Sequence, residues 1–512
     1  MLNALKERAI SAARDAIERR LGGYRQPVHR DDPSRPERPE GAAPTVAVIG
    51  GGIAGITAAA TLAERGFAVT LFERNRYLGG KCGAWEVEVD GETQRVDHGF
   101  HAFFHNYHNL RALLDRIGCA RHFAPIDDYM IVRRDRSRIS FRGADTAPVF
   151  NLLSLAKVGL YSTRDLVLNP AMRKLDPFLR YDEARTFADW DHVSYEDFAR
   201  DAELPSDLRL VFNTFARAFF SEGDRLSVAA LIRAFHFYYL SNDGGLLYDY
   251  FVDDYETAFA APARAWLERH GARVECDASV ESLTRDGDGR IVVSDRAFDQ
   301  VVLACDVVGA ARIVAASPAL AAERPAFAAQ MSRQRRSQRY AILRVWLDRE
   351  VSSGMPVFVI TDKLRALDAV AFTHRVVPEA RAWAERRGGG VYELHSYALP
   401  DDLADDAVAA TLREEFEHFF PEVKGAKVFG EHLHVRDDFA AFHVGAHADR
   451  ATVETGVKGL RLAGDWVRIP YPATLMEAAC TSGLLAANGV LGDHGLREAP
   501  VYTVPMKGLL AR

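Results

Sequence analysis

Residues Thr45–Arg74 read TVAVIGGGIAGITAAATLAERGFAVTLFER, and this stretch decides the fold. A β-branched run, Thr45–Ile49, breaks into Gly50-Gly51-Gly52-Ile53-Ala54-Gly55. A helical pattern follows over Ile56–Arg65, Gly66 stops it, and a second strand over Ala68–Phe72 ends at Glu73. That is a βαβ unit with G-x-G-x-x-G at the strand-to-helix turn and an acid 18 residues beyond the last glycine. Gly50 permits the tight turn, Gly52 lets backbone approach a pyrophosphate, and Gly55 lets helix and strand pack closely. The helix N-terminus at Ile53 and Ala54 offers unpaired N–H groups and its dipole to the phosphates. Glu73 can accept hydrogen bonds from both hydroxyls of an adenosine ribose. The stretch predicts a dinucleotide site.

At 512 residues and 48% hydrophobic, the chain can bury a large core, and two domains are expected. Its 64 basic and 71 acidic residues balance, so no global field argues for nucleic acid. Cys82, Cys119, Cys276, Cys305 and Cys480 are scattered without a C-x-x-C pair, which suits a reducing cytoplasm. No apolar run is long enough to span a bilayer. Residues 1–24 predict an amphipathic helix, with Leu2, Leu5, Ala9, Ala13, Ile17 and Leu21 at helical spacing and Lys6, Arg8, Arg14, Arg19 and Arg20 mostly elsewhere around it. Two readings stay open for it: a helix docked on its own protein, or a peripheral anchor on the inner membrane face, cations toward anionic headgroups. Gln26–Pro44, with five prolines and many charges, reads as a linker and not a folded element.

Beyond Glu73, Arg74 leads to the turn Leu78-Gly79-Gly80-Lys81, where a glycine pair and a base suit a second phosphate or a flavin's ribityl chain and favour FAD over NAD. Val96–Asn109 (VDHGFHAFFHNYHN) carries His98, His101, His105 and His108 at helix-compatible spacing, without the H-E-x-x-H pattern of a zinc site. No metal is assigned. A loop-to-helix turn at Gly99 is expected instead, setting Phe100, His101 and Ala102 against a flavin ring, with an amphipathic helix over Tyr107–Ile117. From Ala124 to Ala263 the pattern is helical and rich in large apolar groups. These include Leu152, Leu153, Leu155, Leu160, Phe212, Phe215, Phe219 and Phe220, then Phe235, Phe237, Tyr238, Tyr239 and Leu240. Such a density reads either as core or as the wall of a long apolar pocket. A helix is expected over Pro262–Gly271. Gly271–Leu283, where Val280 joins the cofactor set, and Arg290–Cys305 read as strands returning to the sheet. Val301–Ala304 looks like a buried parallel strand. Tyr340–Leu347 and Val391–Tyr397 alternate as strands, and Val357–Ile360 is a further candidate. Leu460–Ala463 ends in Gly464-Asp465, a loop marked by Pro470 and Pro472 follows, and a helix starts near Ala473. Asp465 can hold a ribityl or pyrophosphate group, and the N-terminus at Thr474, Leu475 and Met476 can point its dipole at a flavin C2 carbonyl.

These motifs together resemble a known family. GGGIAG with Glu73, LGGK at Leu78–Lys81, and the AGD…MEAACTSG ending are similar to the FAD-dependent amine oxidase and phytoene desaturase superfamily. VDHGFHAFFHNYHNLRALL (Val96–Leu114), FHFYYLSNDGGLLYDYFVDDYETAFAAP (Phe235–Pro262), YAILRVWLD (Tyr340–Asp348) and GVYELHSYAL (Gly390–Leu399) resemble its carotenoid desaturase branch. Within that branch they look most like isorenieratene-synthase-type enzymes, β-carotene desaturase/methyltransferases that turn a β-ionone ring aromatic. The leader and its proline linker have no counterpart there, and Cys480 and Thr481 stand in a segment that varies. The resemblance implies an α/β fold: a Rossmann-type (GR2-like) FAD-binding domain over 45–123, 264–330 and 445–495, with an inserted α+β substrate domain over 124–263 and 331–444. It implies an enzyme that uses FAD to oxidise a hydrophobic polyene or isoprenoid, by desaturation or by ring aromatisation with a methyl shift, and passes electrons to a quinone or O2. His101, then His98 and His105, are candidate bases; Phe103, Phe104 and Tyr107 offer π faces to a cation. Three alternatives remain: an amine oxidase on a C–N substrate, a redox-neutral carotenoid isomerase, and a ligand carrier without catalysis.

Overall fold

The computed structural model describes residues 2–29, 32–157, 170–245, 247–352 and 354–511. The predicted βαβ unit forms as strands Thr45–Ile49 and Ala68–Phe72 around the helix Ile53–Glu64, all but the last residue of that helix buried. Five parallel strands make one sheet in the spatial order Arg273–Glu275, Ala68–Phe72, Thr45–Ile49, Gln300–Leu303, Leu460–Leu462. Counted along the chain, that order is 3-2-1-4-5. The winding reverses between Thr45–Ile49 and Gln300–Leu303, which opens a crevice beyond their carboxyl ends, where ligands of such sheets bind. The helix Leu475–Asp493 returns the chain to this crevice and packs along Ile53–Glu64, with Thr57 Oγ1 3.5 Å from Cys480 Sγ.

The second large sheet has seven strands, ordered Val428–Arg436, Tyr340–Leu347, Gly390–Ser396, Ala369–Ala371, Phe358–Thr361, Met130–Val132, Arg138–Ser140, antiparallel except where Phe358–Thr361 meets Met130–Val132. Tyr340–Leu347 and Gly390–Ser396 are buried at every residue, not on alternate faces as their patterns predict, because both sides of the sheet are covered. The 124–263 segment is mostly helical but also supplies two strands to this sheet, so the purely helical reading is corrected. Leu160 lies outside the described residues.

The proline-rich stretch is not all linker. Gln26–His29 pairs antiparallel with Val501–Thr503, a long-range contact that satisfies backbone groups the local composition leaves unassigned. The N-terminal helix Leu2–Leu21 is docked on its own protein: Leu21 is buried, Ile10 and Ile17 are half-buried, and Arg14 meets Asp145 at 2.5 Å and lies over the Phe150 ring. No helix among the described residues is long and apolar enough to cross a membrane.

Candidate active site

The glycine loop closes onto the winding reversal. Gly50 has φ +113°, and a Cβ there would stand 2.5 Å from the Ala304 carbonyl on the neighbouring strand. A Cβ on Gly55 would meet the Gly50 carbonyl at 1.8 Å, so both positions exclude any side chain. Gly79 N–H donates to Gly51 O at 2.8 Å, which lays the second glycine pair against the first. Glu73, 5% exposed, accepts from Gly51 N–H on Oε2 (2.7 Å) and from Asn75 N–H on Oε1 (2.8 Å), while burial pushes its carboxyl up. Each oxygen keeps a lone pair free for a ribose hydroxyl.

One cavity, with about 2260 Å³ of space between atoms and part of it open to solvent, runs from this loop into the aromatic part of the molecule. Gly50, Gly52, Ile53, Ala54, Glu73, Arg74, Gly79, Gly80, Lys81, Gly99, Phe100, His101, Ala102, Val280, Gly464, Asp465, Leu475 and Met476 all line it. Two members of the expected cofactor set do not. Gly55 packs helix on strand, and Thr474 turns its hydroxyl to Tyr238 Oη at 3.0 Å. Leu475, the first residue of the helix that faces the cavity, holds φ +51°, a conformation costing a non-glycine residue about 1–3 kcal/mol. Asp465 is half-buried, and desolvation raises its carboxyl against the pull of Lys81 and Arg450.

The histidine segment is not helical. Gly99 turns with φ +122°, Phe103–Phe104 form a short strand, and the helix begins at His108. His98 and His101 line the cavity; His105 lies outside it, its Nε2 3.3 Å from Asp249 Oδ1 and its side chain 40% exposed. That removes His105 as a base. His101 Nδ1 is 2.6 Å from Gly99 O and 3.2 Å from Tyr255 Oη, and burial lowers its imidazole to about 4. His98 Nε2 is 3.0 Å from Tyr340 Oη, which donates to Asp438 Oδ1 at 2.8 Å; burial and the neighbouring His434 hold this imidazole well below its ordinary value. Against the burial that would raise it, Lys81 and its other neighbours hold Asp438 at about 2, and Lys81 Nζ lies 4.4 Å over the Phe439 ring.

Of the expected pocket aromatics, Phe104, Tyr107 and Tyr238 line the cavity, whereas Phe103, Phe235, Phe237 and Tyr239 pack in the core. Phe237 and Tyr239 flank Tyr238 in the π-helical turn His236–Leu240, Phe235 ends the α-helix before it, and Phe103 alternates with Phe104 along a short strand, so one ring of each run reaches the cavity and its neighbours are buried. The aromatic wall comes also from residues that sequence reasoning did not single out for the site, among them Tyr129, Tyr248, Phe358, Tyr397 and Phe439. On the nucleotide side, Asp306 was also missed. It caps the next helix through Gly309 N–H (2.7 Å) and pairs with Arg74 at 3.2 Å. Its signal was available, since it follows the buried strand at the winding reversal.

A profile of the flavin-containing amine oxidoreductases matches residues 53–491, most of the chain. The protein belongs to that family. It is 36% identical over 500 residues to the carotenoid phi-ring synthase of Streptomyces griseus, covering 96% of both chains. It is 28% identical to the carotenoid phi-ring synthase of Chlorobaculum tepidum, covering 91% of both. The fold matches that of putrescine oxidase bound to putrescine with TM-score 0.60 at 14% identity, over 88% of this chain and 99% of that one. The protein is thus an FAD-dependent oxidoreductase, and its residues fit that group. The glycine loop leaves open space at Gly52, where a Cβ would meet nothing nearer than 3.9 Å, two helix N-termini open on one cavity, and buried Glu73 and half-buried Asp465 line it.

Proposed function

We propose that the protein oxidises a carotenoid, desaturating or aromatising its terminal ring with a methyl shift. The observation that carries this reading is the continuity of the cavity: the FAD end, from Gly50 to Asp465, opens without a break into walls of Phe104, Phe215, Tyr129, Tyr248, Phe358 and Ile360. Walls of that kind desolvate an apolar chain and fix its position with few polar contacts. The names borne by the Streptomyces griseus and Chlorobaculum tepidum relatives support the same substrate class. Bound FAD would supply the two-electron oxidation, as a hydride acceptor. The chain's own part would be to cradle the cofactor through Gly50–Ala54, Glu73, Gly79–Lys81, Gly464–Asp465 and Leu475–Met476, to exclude water, and to take up the proton that ring desaturation releases. Exposed Arg8, Arg19 and Arg20 on the N-terminal helix would favour a peripheral membrane position, from which an apolar substrate can enter.

The test is anaerobic mixing of the flavin-loaded protein with β-carotene in detergent micelles and, separately, with aliphatic diamines. The proposal predicts loss of the flavin's visible absorbance with the polyene. Bleaching by an amine and by no polyene would reassign the protein to C–N oxidation.

A further inference from the structure

The Gly390–Ser396 strand carries a histidine into the cavity that no motif assigned. His395 is 1% exposed and lines the cavity. Its Cε1 lies 3.2 Å from where a Cβ on Gly99 would stand, which places it beside the turn at the cofactor end. Its Nε2 is 2.8 Å from Glu393 Oε1, an ion-pair contact without the alignment of a hydrogen bond. Among the described residues no hydrogen bond reaches Nδ1, the nitrogen left to meet a ligand.

The carboxylate behind this imidazole is anchored. Glu393 accepts from Phe100 N–H at 2.7 Å and is in close contact with the Arg344 guanidinium, which also reaches Asp97 at 2.9 Å. Although burial opposes ionisation, Arg344 and His395 hold Glu393 well below the usual carboxylate range. An imidazolium at His395 would therefore gain a buried anion 2.8 Å away. His101 has no carboxylate in contact among the described residues and engages its Nδ1 at Gly99 and Tyr255. The rest of the surroundings suit a cation. The rings of Phe358 and Tyr397 make T-shaped contacts with His395, centroids 5.8 and 5.7 Å away, and Phe358 stacks on Phe100 at 4.7 Å. Their π faces attract positive charge in a desolvated space.

We propose that His395 is the base of the ring reaction, accepting at Nδ1 the proton that leaves the substrate, with Glu393 and Arg344 as its positioning residues. This inference rests on the carotenoid reading. With a hydride already lost to the two-electron oxidant, the ring is a carbocation. A C–H bond beside the cationic carbon breaks, its electron pair becomes the π bond of the new C=C, and the proton passes to Nδ1. Each desaturation thus removes one hydride and one proton, and the proton returns to solvent between turnovers.

The test compares the flavin-loaded wild type with H395Q under anaerobic single turnover on β-carotene, following flavin bleaching and, by chromatography, the products. The expected result is a retained flavin spectrum and bleaching within a few-fold of wild type. Aromatic product should fall by about 10²-fold or more, the usual contribution of a positioned base, with water-captured ring products in its place. Aromatic product at the wild-type rate would overturn the assignment. If H395Q does not hold flavin, H395N provides the same comparison. A wild type that no polyene bleaches refutes the carotenoid reading itself and this inference with it, an outcome distinct from loss or retention of the H395Q effect.

Discussion

Glu477→Gln should flatten the pH dependence of stability above neutrality. Glu477, 2% exposed on the helix that faces the cofactor end, accepts from Asn109 N–H (2.9 Å) and Leu110 N–H (3.0 Å) and so caps the helix His108–Arg116. Burial nevertheless pushes its carboxyl from 4.5 up to about 8. A raised folded value means that the group's stabilisation is fully present below pH 4.5 and is lost as pH rises toward 8. At ~1.36 kcal/mol per pH unit the whole effect is about 5 kcal/mol, of which about 1.6 kcal/mol is lost between pH 6.5 and 8. The depressed histidines, His101, His108, His236, His434 and His443, each at about 4, lose their contribution as pH falls through 6.5; part of that change lies inside this window, but it is common to both proteins and drops out of their difference. With an unfolding entropy near 2.1 cal/mol/K per residue, the wild-type Tm should drop by about 1.5 °C more than that of Glu477→Gln across the window. The variant, with one amide N–H facing the cap donors, should start about 1–3 kcal/mol less stable. Scanning calorimetry of both proteins at pH 6.5, 7.25 and 8 measures the difference. Parallel Tm profiles would refute the placement of a protonated carboxyl at that cap.

Three further perturbations follow from the same contacts. Glu73→Ala orphans the Gly51 and Asn75 N–H groups, about 1–3 kcal/mol each, and should lower FAD retention after gel filtration at least tenfold, so wild-type flavin occupancy would contradict the ribose assignment. Gly55→Ala, with its Cβ 1.8 Å from the Gly50 carbonyl, must push the helix off the loop and should abolish FAD binding by absorbance while circular dichroism stays close to wild type. Arg344→Met strands Asp97 and Glu393 in the interior and should cost about 3–5 kcal/mol in urea unfolding, more than any single surface arginine.

How much of this was legible depends on the range of the interactions. The nucleotide half was written locally. Gly50 and Gly55 are dictated by contacts within a few residues or with one neighbouring strand, and the buried strand near Val301–Leu303 declares itself by continuous apolar residues. The strand Gln26–His29 was hidden because its partner, Val501–Thr503, lies more than 470 residues away. Phe235, Phe237 and Tyr239 misled because aromatic density does not say which ring of a run faces a cavity, and of these neighbours Tyr238 does. Arg344, Glu393 and His395 looked like the polar face of alternating strands, but both faces are covered, and there a polar side chain marks a network instead of a surface.

The central claim is that this FAD-dependent oxidoreductase acts on a carotenoid ring. Expression of the protein in a β-carotene-accumulating host, followed by pigment chromatography, tests it most directly. The account predicts new pigments with desaturated or aromatic end groups, in amounts that fall with Glu73→Ala. An unchanged pigment profile from cells whose purified protein is replete with FAD would contradict it.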